Sequence, residues 1–218
     1  MSRRINRRRP FAAILVIAAG LAISGGGYAA ATAAIQTEAA ANNFTAEQVT
    51  EGKKLFLANC ASCHGKNAEG TQNAPSLIGV GAASVDFQVS TGRMPGQASG
   101  PQLPVKEPQF TEEQTMALAA YVASLAPGPA IPSDAAVAPN GNSSRGGELF
   151  RTNCAMCHNA AGAGGALTEG KYAPSLMDSS GREIYEAMVT GPQNMPVFSD
   201  SNLSPEDKKD IITYLAYV

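Results

Sequence analysis

The sequence predicts an all-α protein: two helical domains in tandem with long loops, preceded by one apolar membrane-spanning segment. Three observations support this fold class. The body of the chain repeats itself, apolar residues in each repeat follow helical spacing, and no run of residues alternates like a strand. With 22 Gly and 14 Pro among 218 residues and 44% hydrophobic residues, the composition excludes both a coiled coil and a disordered chain.

The charge of the chain is unevenly distributed. The formal net charge is -2, but five of the 16 basic residues are arginines within the first nine positions. From Glu38 to Val218 there are 11 basic and 18 acidic residues, so this body carries -7. An acidic body argues against nucleic acid as the main partner.

The N-terminus predicts a membrane anchor. The Arg-rich start, residues 1–10, is expected to stay in the cytoplasm, and the uncharged segment 11–34 is expected to form a transmembrane helix. The alternative is a cleaved signal peptide with Ala31-Thr32-Ala33 as its cleavage site, but the apolar run is longer than such peptides usually have. Either interpretation predicts that the body of the chain lies on the extracytoplasmic face.

The body of the chain is duplicated. The segment Gly52–His64 aligns without a gap with Gly146–His158, at an offset of 94 residues. Three further marks recur in the same order in both copies: an Ala-Pro-Ser-Leu string, a Thr-Gly pair with a following Met-Pro, and a segment ending in Tyr. We therefore predict a first domain at 43–125, a second at 143–218, and between them a Pro-rich linker, 126–142, that is extended and contributes no core.

An opening and a closing helix are expected in each repeat. Thr45 with Gln48 predicts a capping box, and the helix after it runs to Cys60. In the second repeat, Ser143 or Ser144 is expected to start the matching helix. The closing helices are expected to begin at two capping sites, Thr111 with Gln114 and Ser204 with Pro205. Between these helices we expect Gly- and Pro-rich connections. Gly and Phe have the same spacing in the two opening helices, which predicts contacts with the closing helices at Gly52, Phe56, Gly146 and Phe150.

Both repeats carry a C-x-x-C-H motif, which is the attachment signal of c-type haem. The motifs are Cys60-Ala-Ser-Cys63-His64 and Cys154-Ala-Met-Cys157-His158. Two thiols at this spacing can form thioethers with the two vinyl groups of one porphyrin, and the adjacent His is then the proximal iron ligand. A redox disulfide would not need the His, and a shared zinc would have to join two separate repeats. The motifs use all four Cys and both His, and they predict two covalent haems.

The sixth iron ligand is expected to be Met, because no His remains and a thioether is the usual alternative. In the first repeat Met94, in a loop before Pro95, is favoured over Met116 on the closing helix. In the second repeat Met195-Pro196 matches Met94-Pro95. The other candidates there are Met156, inside the attachment loop, and Met177 and Met188, which are expected in the core.

Two prolines are candidates for orienting the proximal histidines. A ligand His normally donates its free N–H to an acceptor, and the carbonyls of Pro75 and Pro174 lie at comparable positions in the two repeats. Simple turn chemistry explains the recurring Ala-Pro-Ser-Leu string equally well.

Each repeat resembles a class I cytochrome c domain. The whole chain resembles the dihaem cytochrome c subunit of the actinobacterial cytochrome bcc complex, a menaquinol:cytochrome c reductase, most closely in the strings Ala74–Pro95 and Tyr172–Pro196. The resemblance implies electron transfer from a Rieske iron–sulfur protein, through both haems, to the copper centre of a haem–copper oxidase. It also implies a cytochrome b partner, a supercomplex, and translocase membership without a substrate-turnover site in this chain. Members of that family carry a second membrane helix after the second haem domain, whereas this sequence stops at Val218, so either that part is missing from the sequence or the anchoring differs.

Two other functions remain as alternatives. A free-standing dihaem electron carrier would result if the N-terminal segment were cleaved. A dihaem enzyme, such as a peroxidase or a sulfur-compound oxidase, would need one iron with an open coordination site. Two Met-ligated irons on a membrane anchor favour the respiratory subunit.

Overall fold

The computed structural model describes residues 14–22, 25–26, 42–98, 100 and 102–218. The chain divides into two compact units, Met1–Glu38 and Ala39–Val218. In the first unit, residues 14–22 and 25–26 are helical and exposed. Within the described part of the chain, no helix is both long and apolar enough to cross a membrane. The Arg-rich start, much of the expected span 11–34 and the possible cleavage site at 31–33 lie outside the described residues.

Each repeat of the second unit contains three principal helices and one helical turn at its C-x-x-C-H motif. The helices of the first repeat are α1 Ala46–Asn59, α2 Ala61–His64, α3 Gly81–Ser90 and α4 Glu112–Leu125. A short helix, α5 Asp134–Val137, follows between the repeats. The helices of the second repeat are α6 Ser143–Asn153, α7 Ala155–His158, α8 Gly181–Thr190 and α9 Pro205–Leu215.

The helix starts largely follow the predicted caps. Complete capping boxes form at Thr45 with Gln48, at Thr111 with Gln114 and at Ser204 with Asp207. Pro205 is the first residue of α9. The start of α6 differs, because the side chain of Asn142, not of a serine, accepts the hydrogen bond from the backbone of Arg145. Asn is as good an N-cap as Ser, and Asn142 comes first along the chain.

The opening and closing helices of each repeat pack closely, as predicted. A Cβ at Gly52 would overlap the carbonyl of Ala117 on α4, and one at Gly146 would overlap the carbonyl of Asp210 on α9. One turn further along, Phe56 lies 5.2 Å from the ring of Tyr121, and Phe150 lies 5.6 Å from that of Tyr214. Burying each Phe contributes roughly 2–3 kcal/mol, and only Gly lets the backbones approach enough to do so.

The middle helices α3 and α8 were not predicted. α3 is buried over most of its surface, so its apolar residues follow no one-sided pattern. α8 does have one apolar face and begins with a capping box of Ser180 and Glu183, a local signal that the sequence analysis missed. A second difference lies in the second repeat, where Gly165–Ala166 pairs with Tyr172–Ala173 as a two-residue antiparallel ladder. Strands this short leave no alternation to detect in the sequence.

The linker contributes to both cores, contrary to the prediction. Ile131 is only 8% exposed and belongs to the core of the first repeat, while Val137 packs against the core of the second. The backbone is held too: Ala83 donates to the carbonyl of Pro129 at 3.1 Å. The segment is also not extended throughout, because α5 interrupts it, and its side chains Ile131 and Val137 cover apolar surfaces of the two repeats.

The two repeats contact each other through α3 and α8 and through a pair of glutamines. The Gln102 side chain bonds both the N–H and the C=O of Tyr172, each at 2.8 Å. In return, the Gln193 side chain bonds the N–H of Leu103 at 3.0 Å and its C=O at 3.1 Å. These reciprocal bonds hold the loop after Met94 against the second repeat.

Candidate functional site

Each C-x-x-C-H motif folds as one tight helical turn at the end of an opening helix. The backbone N–H groups of Cys63 and His64 both donate to the carbonyl of Cys60, at 3.1 and 2.9 Å. Cys157 and His158 repeat the pattern on the carbonyl of Cys154 at the same distances. Two Cys three positions apart on a helical turn share one side of it, so both sulfurs can meet one edge of a planar group.

Both motif histidines are buried and tied to a proline carbonyl. His64 Nδ1 lies 2.8 Å from the oxygen of Pro75, and His158 Nδ1 lies 3.0 Å from that of Pro174. A carbonyl can only accept, so Nδ1 carries the proton and the lone pair of a neutral ring is on Nε2. This is the form in which an imidazole binds a metal.

Burial changes the acid–base properties of the motif side chains. It raises the pKa of the Cys60 and Cys154 thiols to about 11, with a smaller contribution from the second Cys of each motif. Protonated thiols are poor nucleophiles for disulfide exchange. Burial also lowers the pKa of His158 against the opposing effect of its bond to Pro174, which favours the neutral ring.

The methionines separate into distinct environments. Met94 and Met195 are partly buried against the cores of their own repeats, which also include Cys60 and Cys154. Met116 also packs against the core of the first repeat, but its sulfur lies 3.7 Å from a guanidinium nitrogen of Arg182 in the second repeat. Met188 is in the core at 2% exposure, whereas Met177, which was expected there, is 58% exposed because it lies within a surface turn. Met156 is 94% exposed.

A cavity of about 450 Å³ brings the predicted residues of the second repeat together. Its lining includes all five of them, Cys154, Cys157, His158, Pro174 and Met195, and the core residue Met188. The volume is in the range of cofactor sites. A thiol pair, an imidazole with a free Nε2 and a thioether around one apolar cavity form a donor set that fits a c-type haem.

Part of this cavity is built by the first repeat, which the sequence did not predict. Phe87 and Thr91 at the end of α3, Arg93 beside Met94, and Val105 in the following loop all line it. Burial lowers the pKa of the Arg93 guanidinium, and Glu183 and Tyr172 of the second repeat act in the opposite direction. No local motif marks these residues, because their role depends on how the two repeats pack.

Comparison with known proteins agrees with this architecture. Residues 49–126 match the family model described as cytochrome c, and residues 141–215 match the one described as cytochrome c oxidase, cbb3-type, subunit III. The "cytochrome bc1 complex cytochrome c subunit" of Mycobacterium tuberculosis is 47% identical over 220 residues, which cover 98% of this chain and 78% of the relative. The chain belongs to the family of cytochrome bc1 complex cytochrome c subunits.

Other members and a more distant relative are consistent with this assignment. The protein of the same description from Corynebacterium efficiens is 45% identical over 99% of this chain and 78% of its own length. The "Cbb3-type cytochrome c oxidase subunit FixP" of Sinorhizobium medicae is 31% identical over 60% of this chain and 45% of its own length. The family resemblance inferred from the motifs is therefore confirmed, and the two repeats are cytochrome c domains, a type of domain that carries covalent c-type haem.

Proposed function

We propose that this chain is the dihaem electron-transfer subunit of a quinol-oxidising cytochrome bc1-type (bcc) complex. It receives electrons from the Rieske iron–sulfur subunit and delivers them to the copper centre of a haem–copper terminal oxidase. The observation that carries the proposal is the duplication of one donor set, a Cys pair with a carbonyl-bonded His, in two domains of a single compact unit. Two such sites, in domains that contact each other, suit the transfer of electrons from a donor to an acceptor.

Each domain has the same assignment of roles. Cys60 and Cys63 in the first domain, and Cys154 and Cys157 in the second, would hold the porphyrin through thioethers. His64 with Met94, and His158 with Met195, would bind the irons of the two haems. The carbonyls of Pro75 and Pro174 fix the imidazole rings, which leaves each Nε2 free to bind iron. When bound, the haem iron supplies a one-electron couple whose potential is raised by thioether ligation.

This set of ligands supports electron transfer over substrate turnover. With an imidazole and a thioether of the chain as its ligands, each iron would have no open position, so no catalytic residue is assigned to the chain. The burial of His64 and His158 keeps water from both imidazoles. The dihaem enzyme requires the loss of one Met ligand, and no contact at Met94 or Met195 favours it.

The remaining assignments concern topology. Residues 1–10 are the cytoplasmic start, 11–34 the membrane anchor, 43–125 and 143–218 the haem domains, and 126–142 the linker. The haem domains lie on the extracytoplasmic face of the cell membrane, where the cytochrome b subunit, the Rieske subunit and the oxidase form a supercomplex with them. The uncharged segment after five arginines supports this orientation.

Native purification tests the proposal. The full chain is tagged, extracted in mild detergent and analysed by mass spectrometry and haem spectroscopy. We expect cytochrome b, a Rieske protein and oxidase subunits to be recovered with it, and two low-spin c haems per chain. Recovery alone in the aqueous fraction would indicate the free-standing carrier. A high-spin haem that binds carbon monoxide would indicate the dihaem enzyme.

A further inference from the structure

Arg93 belongs to the first domain but lies at the cofactor cavity of the second. It is one residue before Met94, and its guanidinium stacks on the ring of Phe87 at 4.7 Å. Both side chains line the cavity that holds Cys154, Cys157 and His158. The backbone of one short segment therefore directs residue 94 to its own domain and residue 93 to the neighbouring domain.

The guanidinium is buried without a counter-ion among the described residues. Arg93 is 9% exposed, and no carboxylate oxygen of those residues lies within 4.0 Å of its nitrogens. Glu183 also lines the cavity, but it makes no ion pair with Arg93, and its Oε2 accepts the backbone N–H of Ser180 at 2.7 Å in the capping box of α8. A buried charge is costly unless it is paired, and Arg forms its strongest bonds to carboxylates in a bidentate arrangement.

The two other cations that line the cavity, Lys106 and Lys171, are already bonded. Lys106 Nζ donates to the carbonyl of Pro95 at 2.8 Å, so it secures the Met94 loop, and Lys171 Nζ lies 3.1 Å from Oε2 of Glu169. The wall that contains Arg93 is also held rigidly, since Gln102 and Gln193 bond both backbone groups of Tyr172 and Leu103. Arg93 is therefore presented in a fixed position, which suits a defined ligand rather than a mobile surface contact.

We propose that Arg93 of the first domain binds a propionate carboxylate of the haem held by the second domain. The inference rests on the proposed function, because it requires that haem to be bound. Arg93 is then a positioning residue of a site that two domains build jointly. The positive charge of Arg93 stabilises the reduced form of the second haem. Because Arg93 is adjacent to Met94, it also connects the loop that carries a ligand of the first haem to the second haem.

Redox titration of the full dihaem protein tests the inference in Arg93→Gln, Arg93→Lys and the control Lys54→Gln. Lys54 is an exposed lysine on α1, with its side chain 70% accessible, and it is not part of the lining of the second-domain cavity, so its substitution removes the same charge away from that cavity. In Arg93→Gln we expect the reduction equilibrium constant of the second haem to fall about tenfold, which is 59 mV for a one-electron couple. The reduction equilibrium constant of the second haem should fall less in Arg93→Lys and should be unchanged in Lys54→Gln.

The two haems are distinguished in the same titration with Met94→His and Met195→His, since imidazole in place of thioether lowers the potential of the haem that carries it. The pH dependence of the second potential should also steepen in Arg93→Gln, because an unpaired propionate takes up a proton on reduction. An unchanged second potential in both Arg93 variants, or a shift confined to the first haem, would overturn the inference. A chain without covalent haem would instead contradict the proposed function.

Discussion

The guanidinium Nε of Arg182, on α8 of the second domain, lies 2.6 Å from Oδ2 of Asp86 on α3 of the first. The same nitrogen lies 3.6 Å from Oε1 of Glu186, which is fully buried. Asp86 is also buried, whereas the Arg182 side chain is 37% exposed. One cation and two carboxyl groups thus connect the middle helices of the two domains.

Removing Asp86 should loosen this contact between the domains. In Asp86→Ala, Arg182 loses its closest carboxylate, which is the one that lies on the other domain, and we expect the free energy of unfolding to fall by about 2–3 kcal/mol. Denaturant unfolding of both proteins measures the change. Glu51→Gln is the control, because its ion pair with Lys54 is exposed and contributes about 0.5 kcal/mol or less. Equal effects of the two substitutions would show that the interface pair is not stabilising.

Glu186 should make stability depend on pH. Burial, and secondarily the nearby Asp86, raise the pKa of its carboxyl to about 10 against the attraction of Arg182. A raised pKa in the folded state means that the folded protein holds the proton. The stabilisation is therefore complete below pH 4.5 and is lost as the pH rises towards 10.

Glu186→Gln should flatten this pH profile, because the amide imitates the protonated acid and has no proton to lose. Relative to the parent protein, the variant should gain up to about 1 kcal/mol of stability per pH unit above neutrality. Unfolding at a series of pH values measures it. The matched control is Glu169→Gln, where the side chain is 77% exposed. Parallel profiles for parent and Glu186→Gln would contradict the raised pKa.

The glycines of the opening helices should tolerate no side chain. Gly52→Ala and Gly146→Ala each force a methyl group onto the backbone of the closing helix, and we expect a loss of about 3 kcal/mol or more in the affected domain. Thermal melting followed by near-UV circular dichroism measures the loss. Gly100→Ala is the control, because the nearest atom to a Cβ there is 3.8 Å away. A normal melting temperature for Gly52→Ala would require the helices to pack differently.

The Met ligands should be separable from the other methionines by spectroscopy. Met94→Ala and Met195→Ala should each convert one haem to a high-spin form that binds carbon monoxide. Met116→Leu should leave both haems low-spin, since its sulfur contacts Arg182.

Met188 requires a different control because it is a buried core residue that also lines the second cavity. Met188→Leu conserves volume, so it should cost less than 1.5 kcal/mol and leave ligation intact. A high-spin second haem in Met188→Leu, with a normal Met195→Ala spectrum, would reassign the ligand.

Much of the fold was readable because its signals are local. The capping boxes at Thr45 and Thr111 involve residues three apart, and the structure contains both. The Gly and Phe at positions 52 and 56 recur in the second domain, and this repetition predicts that the opening and closing helices of each domain pack together. The helix α3 lacks such a signal because it is buried over most of its surface. The helix α8 carries one, the capping box of Ser180 and Glu183, and its prediction was possible. Ile131 was not predicted in the core because proline-rich composition says nothing about a single buried side chain.

Residue type and spacing alone give the domain duplication, the two C-x-x-C-H motifs and the family. Packing fixes which acceptor each motif histidine meets, that Met177 is exposed, and that the Arg93 segment forms a wall of the second cavity. The wall depends on the contacts between the repeats, which are the packing of α3 against α8 and the reciprocal bonds of Gln102 and Gln193. Such contacts join residues about 70 to 100 positions apart, and no pattern within either repeat encodes them.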